Sequence, residues 1–271
     1  MYKNRITMQK FIVSVCLALV LAGTHAVAQN VVYDANAQVR HVEHFNKVHV
    51  SSAITLYLSQ GKQEAVAVSA GDEKYTARIK TEVRDGVLKI YVENGVWNGW
   101  NWGNRSLKAY VTVDEIQGLD VSGASTVKVS DGLSVNNFDL QVSGASTLKI
   151  DGGIHSASNG RMSIEVSGAS NMTTALKAGD ITFNLTGASQ ANVEGATGAL
   201  KVEASGASEF KGYGLQIEDC RVEASGASSV SITVNKKLDA QASGASSIGY
   251  KGEAVITNLD VSGASNVKKR S

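Results

Sequence analysis

From about residue 118 onward, apolar and polar residues alternate with a period of two, and one tetrapeptide interrupts the alternation at regular intervals. Immediately before it stand Val121, Val142, Val166, Leu185, Ala204, Ala224, Ala242 and Val261. Two residues earlier stand Leu119, Leu140, Ile164, Phe183, Val202, Val222, Ala240 and Leu259. The residue between them is polar each time: Asp120, Gln141, Glu165, Asn184, Glu203, Glu223, Gln241 and Asp260. Two positions past the tetrapeptide the apolar series resumes with Val127, Leu148, Met172, Ala191, Phe210, Val230, Ile248 and Val267. A period of two sends alternate side chains to opposite faces of a strand, whereas a helix would scatter them around its circumference. Each unit reads as strand, corner, strand.

The tetrapeptide is Ser-Gly-Ala-Ser, starting at Ser122, Ser143, Ser167, Ser205, Ser225, Ser243 and Ser262, with Thr186 opening an eighth copy. The intervals run from 18 to 24 residues. A repeat this short cannot bury its own apolar face, so neighbouring copies must stack and share one core. The fold class is therefore all-β: a parallel β-helix, or solenoid, of about eight Ser-Gly-Ala-Ser coils with an N-terminal β-rich capping region. Stacked at the strand spacing of about 4.8 Å, eight coils rise roughly 38 Å. Gly supplies the positive φ that a sharp corner needs. Ala is expected to fit inside the bend, and the serines to line up in columns whose hydroxyls donate and accept in turn.

The N-terminal half is less regular. Val48 to Leu58 repeats the strand–corner–strand pattern with Ser52 in place of Gly, so a degenerate coil is expected to begin there. Ala65 to Val68 reads as a strand and Gly71 to Ile79 as a helical turn capped by Asp72. Val83 to Val92 reads as a hairpin around Asp85-Gly86, and Leu107 to Val113 alternates again into the first full repeat. Residues 29–115 are assigned to this capping and first-coil region and 116–271 to the repeats, as one continuous structural unit.

The first residues bear on the compartment. Lys3, Arg5 and Lys10 precede an apolar run from Phe11 to Ala22, too short to span a bilayer, and Ala26-Val27-Ala28 offers a cleavage site before Gln29. Residues 1–28 read as a signal peptide, leaving no membrane span. Losing its three basic residues takes the net charge from +1 to −2, a balance that argues against nucleic acid as a partner. One cysteine, Cys220, then remains, so no internal disulfide is available. The absence of proline suits a chain whose backbone donors are nearly all used in strand ladders.

Together, Phe45-Asn46-Lys47-Val48-His49-Val50, the hairpin Thr81-Glu82-Val83 to Gly86-Val87-Leu88-Lys89-Ile90 and the Ser-Gly-Ala-Ser array closely resemble the bacterial family called putative auto-transporter adhesin, head GIN domain. The resemblance covers about residues 40–267. It implies an exported β-helical protein of the Gram-negative envelope, in the periplasm, on the outer surface or outside the cell, and supplies no catalytic or binding residues. With the array running to Ser271, no translocation barrel is expected.

One segment breaks the composition: residues 94–104 hold all three tryptophans in a Gly/Asn context. Trp97, Asn98, Trp100, Asn101 and Trp102 are the candidate ligand-binding residues, because indole faces stack on the C–H faces of sugars while amides bond hydroxyls. The competing reading is a hydrophobic flap packed on the solenoid end. The column Asp120, Glu165, Glu203, Glu223, Asp260 resembles the carboxylate clusters of polysaccharide-degrading β-helices, with Glu203 and Glu223 on adjacent coils. Alternation with Gln and Asn makes a solvated face the preferred reading. His41, His44 and His49 do not read as a metal site, Cys220 reads as buried and inert, and no cofactor or catalytic motif is found. The function expected is non-catalytic, adhesin-like binding of a glycan or surface protein, with self-association into a homo-oligomer allowed. The alternatives are a pectinase-like enzyme and a purely structural envelope protein.

Overall fold

The computed structural model describes residues 34–93 and 106–271. The N-terminal part contains β1 (Gln38–Arg40), β2 (Lys47–Val50), β3 (Thr55–Gln60), β4 (Ala65–Ser69), the short helix α1 (Glu73–Thr76), β5 (Ile79–Arg84), β6 (Val87–Val92) and β7 (Lys108–Val113). The repeats follow as β8 (Gly118–Val121), β9 (Thr126–Val129), β10 (Leu133–Val135), β11 (Phe138–Val142), β12 (Thr147–Ser156), β13 (Arg161–Val166) and β14 (Asn171–Leu185). They continue with β15 (Gln190–Ala204), β16 (Glu209–Ala224), β17 (Ser229–Ala242), β18 (Ser247–Lys251), β19 (Val255–Val261) and β20 (Asn266–Lys269).

These strands form a parallel β-solenoid in which the eight tetrapeptides lie one above another. On the face before the corner, the in-register ladder runs Val121, Val142, Val166, Leu185, Ala204, Ala224, Ala242, Val261. On the face after it, Val127, Leu148, Met172, Ala191, Phe210, Val230, Ile248 and Val267 align in the same way. Nearly all of these side chains point inward into one continuous core, where Phe183 and Phe210 meet edge to face at 5.0 Å. Each apolar column is thus completed by the level above and the level below.

The degenerate coil is present. β2 and β3 pair in register with β8 and β9, so that Ser51-Ser52-Ala53-Ile54 stands where Ser122-Gly123-Ala124-Ser125 stands one level on. β6 and β7 add a further parallel level beyond it. There the parallel stack gives way to antiparallel partners: β5 on β6, β4 on β7 and β1 on β4. The hairpin between β5 and β6 turns on Asp85 and Gly86, both at positive φ, and Asp72 caps α1 by accepting from the Lys74 N–H. Asp34 anchors the start of the described chain to β7, accepting from the Tyr110 hydroxyl at 2.8 Å and from Lys108 at 3.2 Å. Burial alone would raise its pKa, but hydrogen bonds from Tyr110, Asn36, Ser69 and Lys108 outweigh burial and hold it below the usual carboxylate value.

The corner is built differently from the expectation in two respects. The Ala lies on the solvent side of the bend with the Gly, and the last Ser is the residue turned inward, fully buried at nearly every level. The Ser125 and Ser146 hydroxyls have no partner among the described residues and that of Ser170 accepts the Ser146 N–H, but from Ser189 onward the hydroxyl bonds to no other serine hydroxyl. It donates to the backbone carbonyl just before the corner of the preceding coil: Ser189 to Val166, Ser228 to Ala204, Ser246 to Ala224, at 2.9 to 3.1 Å. The same carbonyl already accepts a backbone N–H, for instance Ser225 to Ala204. A carbonyl has two lone pairs, so the buried serine satisfies itself on the second one without breaking the ladder.

Gly is required by stacking as well as by φ. At Gly206, φ is +74°, and a Cβ would lie 2.6 Å from the Gly187 carbonyl oxygen. That oxygen accepts the Ala207 N–H at 2.8 Å. The corners are thus hydrogen-bonded to each other as closely as the strands, leaving no room for a side chain at this position.

Candidate functional site

The polar residue before each corner and the first hydroxyl of the corner both point outward, so the stack converts them into two parallel columns. Over the last five levels these are Asn184, Glu203, Glu223, Gln241, Asp260 and Thr186, Ser205, Ser225, Ser243, Ser262, which together line a groove of about 390 Å³ open to solvent. Its floor is the backbone of Ala204, Ala224 and Ala242, whose methyl groups are buried inside. At the other levels that inward position holds Val or Leu. The three alanine levels therefore form the middle of the groove, whose ends lie at the Leu185 and Val261 levels.

The groove is rich in acceptors. Carboxylates accept only, amide oxygens accept, and hydroxyls do either. No lysine or arginine lines it. Glu203 is paired with Lys201, and Glu223 with Arg221 at 2.9 Å, each cation lying two residues back on the same strand and outside the groove. Asp260 has no ion-pair partner among the described residues, and the Asn184 Oδ1 is buried with no hydrogen-bond partner. A buried acceptor without a donor is costly. A second, shallower depression of about 510 Å³ lies over earlier levels between Asn137, Asp139, Arg161 and Thr182.

The sequence-based candidates fall in different places. Trp97, Asn98, Trp100, Asn101 and Trp102 lie outside the described residues, in the chain between β6 and β7. The acidic column is brought together as expected on the solvent side, but only Glu203, Glu223 and Asp260 enter the groove. Asp120 instead contacts His49, its neighbour one level back, at 2.7 Å, and His44 contacts Glu64 at 2.8 Å. His44 and His49 therefore lie on separate carboxylates. Cys220 is buried, and burial together with the Asp239 charge pushes its thiol up to about 12. The hydroxyl column and the alanine floor escaped the candidate residues, although the alanine run was visible in the repeat alignment.

The family model described as putative auto-transporter adhesin, head GIN domain, matches residues 44–254, and the chain belongs to that family. No curated protein sequence matches it. Among solved structures, it is similar to a putative lipid binding protein from Parabacteroides distasonis, with a TM-score of 0.74 and 21% identity over 87% of this chain and 97% of that one. A putative adhesin from the same organism gives a TM-score of 0.72 at 18% identity, covering 86% and 96% of the two chains. A putative adhesin from Parabacteroides merdae gives 0.68 at 15% identity, covering 87% and 95%. At these identities the likeness is one of fold.

Proposed function

We propose that this member of the adhesin family is exported with residues 1–28 as its signal peptide and binds a surface glycan without catalysing a reaction. Residues 29–115 and 116–271 act as one unit, the first ending the stack and the second presenting its side. The groove carries this reading. It is open, polar and crosses successive coils, a form that receives an extended polymer along its length instead of enclosing a small substrate. Trp97, Trp100 and Trp102, with Asn98 and Asn101, are the second contact, offering indole faces and amides to sugar rings.

The competing enzyme reading rests on Glu203 and Glu223, which face the groove from adjacent coils. A glycosidase pair sets one carboxyl group in a desolvated pocket and leaves the other ionised. Here both are solvent-accessible and each is tied to a cation on its own strand, so the geometry favours binding.

A glycan array probed with the processed chain tests the proposal. The wild type should be retained on a defined subset of glycans. The Trp97→Ala/Trp100→Ala/Trp102→Ala variant should lose at least tenfold in apparent affinity while melting within about two degrees of the wild type. A blank array for the wild type would overturn the reading. So would release of new reducing ends from a bound polymer that disappears in Glu203→Gln or Glu223→Gln.

A further inference from the structure

The wall on the other side of the corner carries a cluster of opposite character. We propose that Tyr213, Lys251, Lys268 and Arg270 form a second site, which takes the acidic groups of an anionic polysaccharide, a chain bearing carboxylate or sulfate on its sugars. This site stands apart from the groove and does not rest on the reading above.

The cluster is assembled by a break in the strand. β16 falls out of register with β17 between Gly212 and Gln216, and Tyr213, set between Gly212 and Gly214, lies in the displaced stretch. A bulge of this kind re-aims a side chain. The Thr233 hydroxyl holds it by donating to the Tyr213 carbonyl at 2.9 Å. The ring is turned onto the outer face, 37% exposed, and reaches across to β18. There Gly249 makes room for it: a Cβ would fall 2.5 Å from the Tyr213 hydroxyl oxygen and 3.7 Å from the Arg270 Cγ. The hydroxyl and the Arg270 side chain thus converge on one point of the backbone. Lys251 Nζ lies 5.2 Å from the Tyr213 ring centroid, and Lys268 is the in-register neighbour of Gly249 on the next level.

Charge is the second observation. Several cations of the outer face are matched by a carboxylate on their own strand or the next level, as in Lys149–Asp151, Lys211–Glu209 and Lys236–Glu218. Among the described residues, Lys251, Lys268 and Arg270 have no ion-pair partner and the Tyr213 hydroxyl has no hydrogen bond. Glu253, close to Lys251 in the chain, pairs with Lys269 instead, at 3.3 Å. Like charges set side by side on neighbouring strands repel. An oxyanion removes that repulsion and accepts from the Arg270 fork. The lining is the third observation. Lys211, Ser231, Gly249 and Lys268 form one in-register column, about 14 Å long at the strand spacing. Cations stand at its two ends and a serine between them. That is longer than one small anion, and the hydroxyl donates and accepts as the sugar hydroxyls between acidic groups require.

Titration calorimetry on the processed chain tests this with four probes: tetramers of galacturonate and of sulfated galactose, the methyl ester of the first, and tetraglutamate. At least one acidic sugar should bind about tenfold more tightly than the ester and the peptide, and the tighter of the two identifies the oxyanion. Its affinity should fall as salt is raised from 50 to 300 mM. Lys251→Gln/Arg270→Gln should weaken it at least tenfold, and Tyr213→Phe about threefold for one lost hydrogen bond, both melting with the wild type. Lys62→Gln/Lys177→Gln removes the same charge from lysines exposed elsewhere and should leave binding within twofold. An equal loss in that control would replace the site by an effect of net charge. Equal binding of the ester would remove the role of the oxyanion, and equal binding of tetraglutamate would reassign the cluster to acidic peptides. Self-association in sedimentation that Lys251→Gln/Arg270→Gln abolishes would give it to the carboxylates of a second copy. If neither acidic sugar binds, the inference fails and the groove, on the other wall, is untouched.

Discussion

Gly206→Ala adds one methyl group at the centre of the stack, and the structure allows its cost to be worked out. The residue sits at φ +74°, where an L-residue is strained by about 1–2 kcal/mol. Its new Cβ would fall 2.6 Å from the Gly187 oxygen, a contact that must open. The atom that gives way is the acceptor of the Ala207 N–H, so one buried ladder bond is stretched or lost, at about 0.5–1.5 kcal/mol. The level above is hung on the same residue, because the Gly206 oxygen accepts the Ala227 N–H at 2.7 Å, and a displaced corner disturbs that bond too. The total is about 2–4 kcal/mol. At roughly 2–4 °C per kcal/mol for a chain of this size, thermal unfolding should move down by about 5–15 °C. Hydrogen exchange should localise the loss to the amides of Ala207 and Ala227 and their neighbours, since a solenoid can open level by level. Gly61→Ala is the control: its φ is ordinary and the nearest atom to its Cβ is a threonine methyl at 3.2 Å, so its cost should stay below about 1 kcal/mol. A Gly206→Ala protein that melts within two degrees of the wild type would refute the claim that stacked corners exclude a side chain.

The buried serine column separates into satisfied and unsatisfied members: Ser228→Ala should cost about 0.5–1.5 kcal/mol because the Ala204 carbonyl loses its second donor. Ser125→Ala, whose hydroxyl has no partner, should be neutral or stabilising, and urea melts showing the reverse order would remove the hydrogen-bond account. Cys220 should resist a disulfide-exchange reagent in the native protein and react once unfolded. Its folded pKa of about 12 lies above the unfolded value near 9, so its contribution is complete below pH 9 and is lost as the unfolded thiol ionises and the pH climbs toward 12. The stability difference between the wild type and Cys220→Ala should therefore narrow across that range, and a difference that is flat with pH would contradict the burial assigned to the thiol.

How much of this was legible follows from what each signal encodes. The period-two alternation around Val121, Leu148 or Phe183 is a statement about which side of a strand faces the core, and in a stack every level repeats it, so noise in one copy is corrected by the others. The degenerate coil at Val48 to Leu58 was readable for the same reason, and the Asp85-Gly86 hairpin because both residues tolerate positive φ. The internal plan of the corner was not readable. Ser-Gly-Ala-Ser has two small polar ends, and nothing in the tetrapeptide says which of the two serines turns inward. The structure settles it through the carbonyl of the preceding coil, a partner 22 to 24 residues away in the chain.

The groove shows a subtler limit. Its acceptor column was visible as Asn184, Glu203, Glu223, Gln241 and Asp260, yet the same position is polar at all eight levels and a groove forms over only some of them. The middle levels of the groove differ from the rest one residue further on, on the opposite side of the strand. Ala204, Ala224 and Ala242 replace the valine or leucine found elsewhere, and each points into the core. Read as a strand pattern, alanine in that position is simply a smaller apolar residue and carries no functional meaning. Placed in the stack, the three alanines lie directly behind the middle levels of the groove, beside Glu203, Glu223 and Gln241 on its outer side. The outer face of a solenoid is therefore best compared level by level together with the inward residues of the same strands, which a search confined to exposed chemistry passes over.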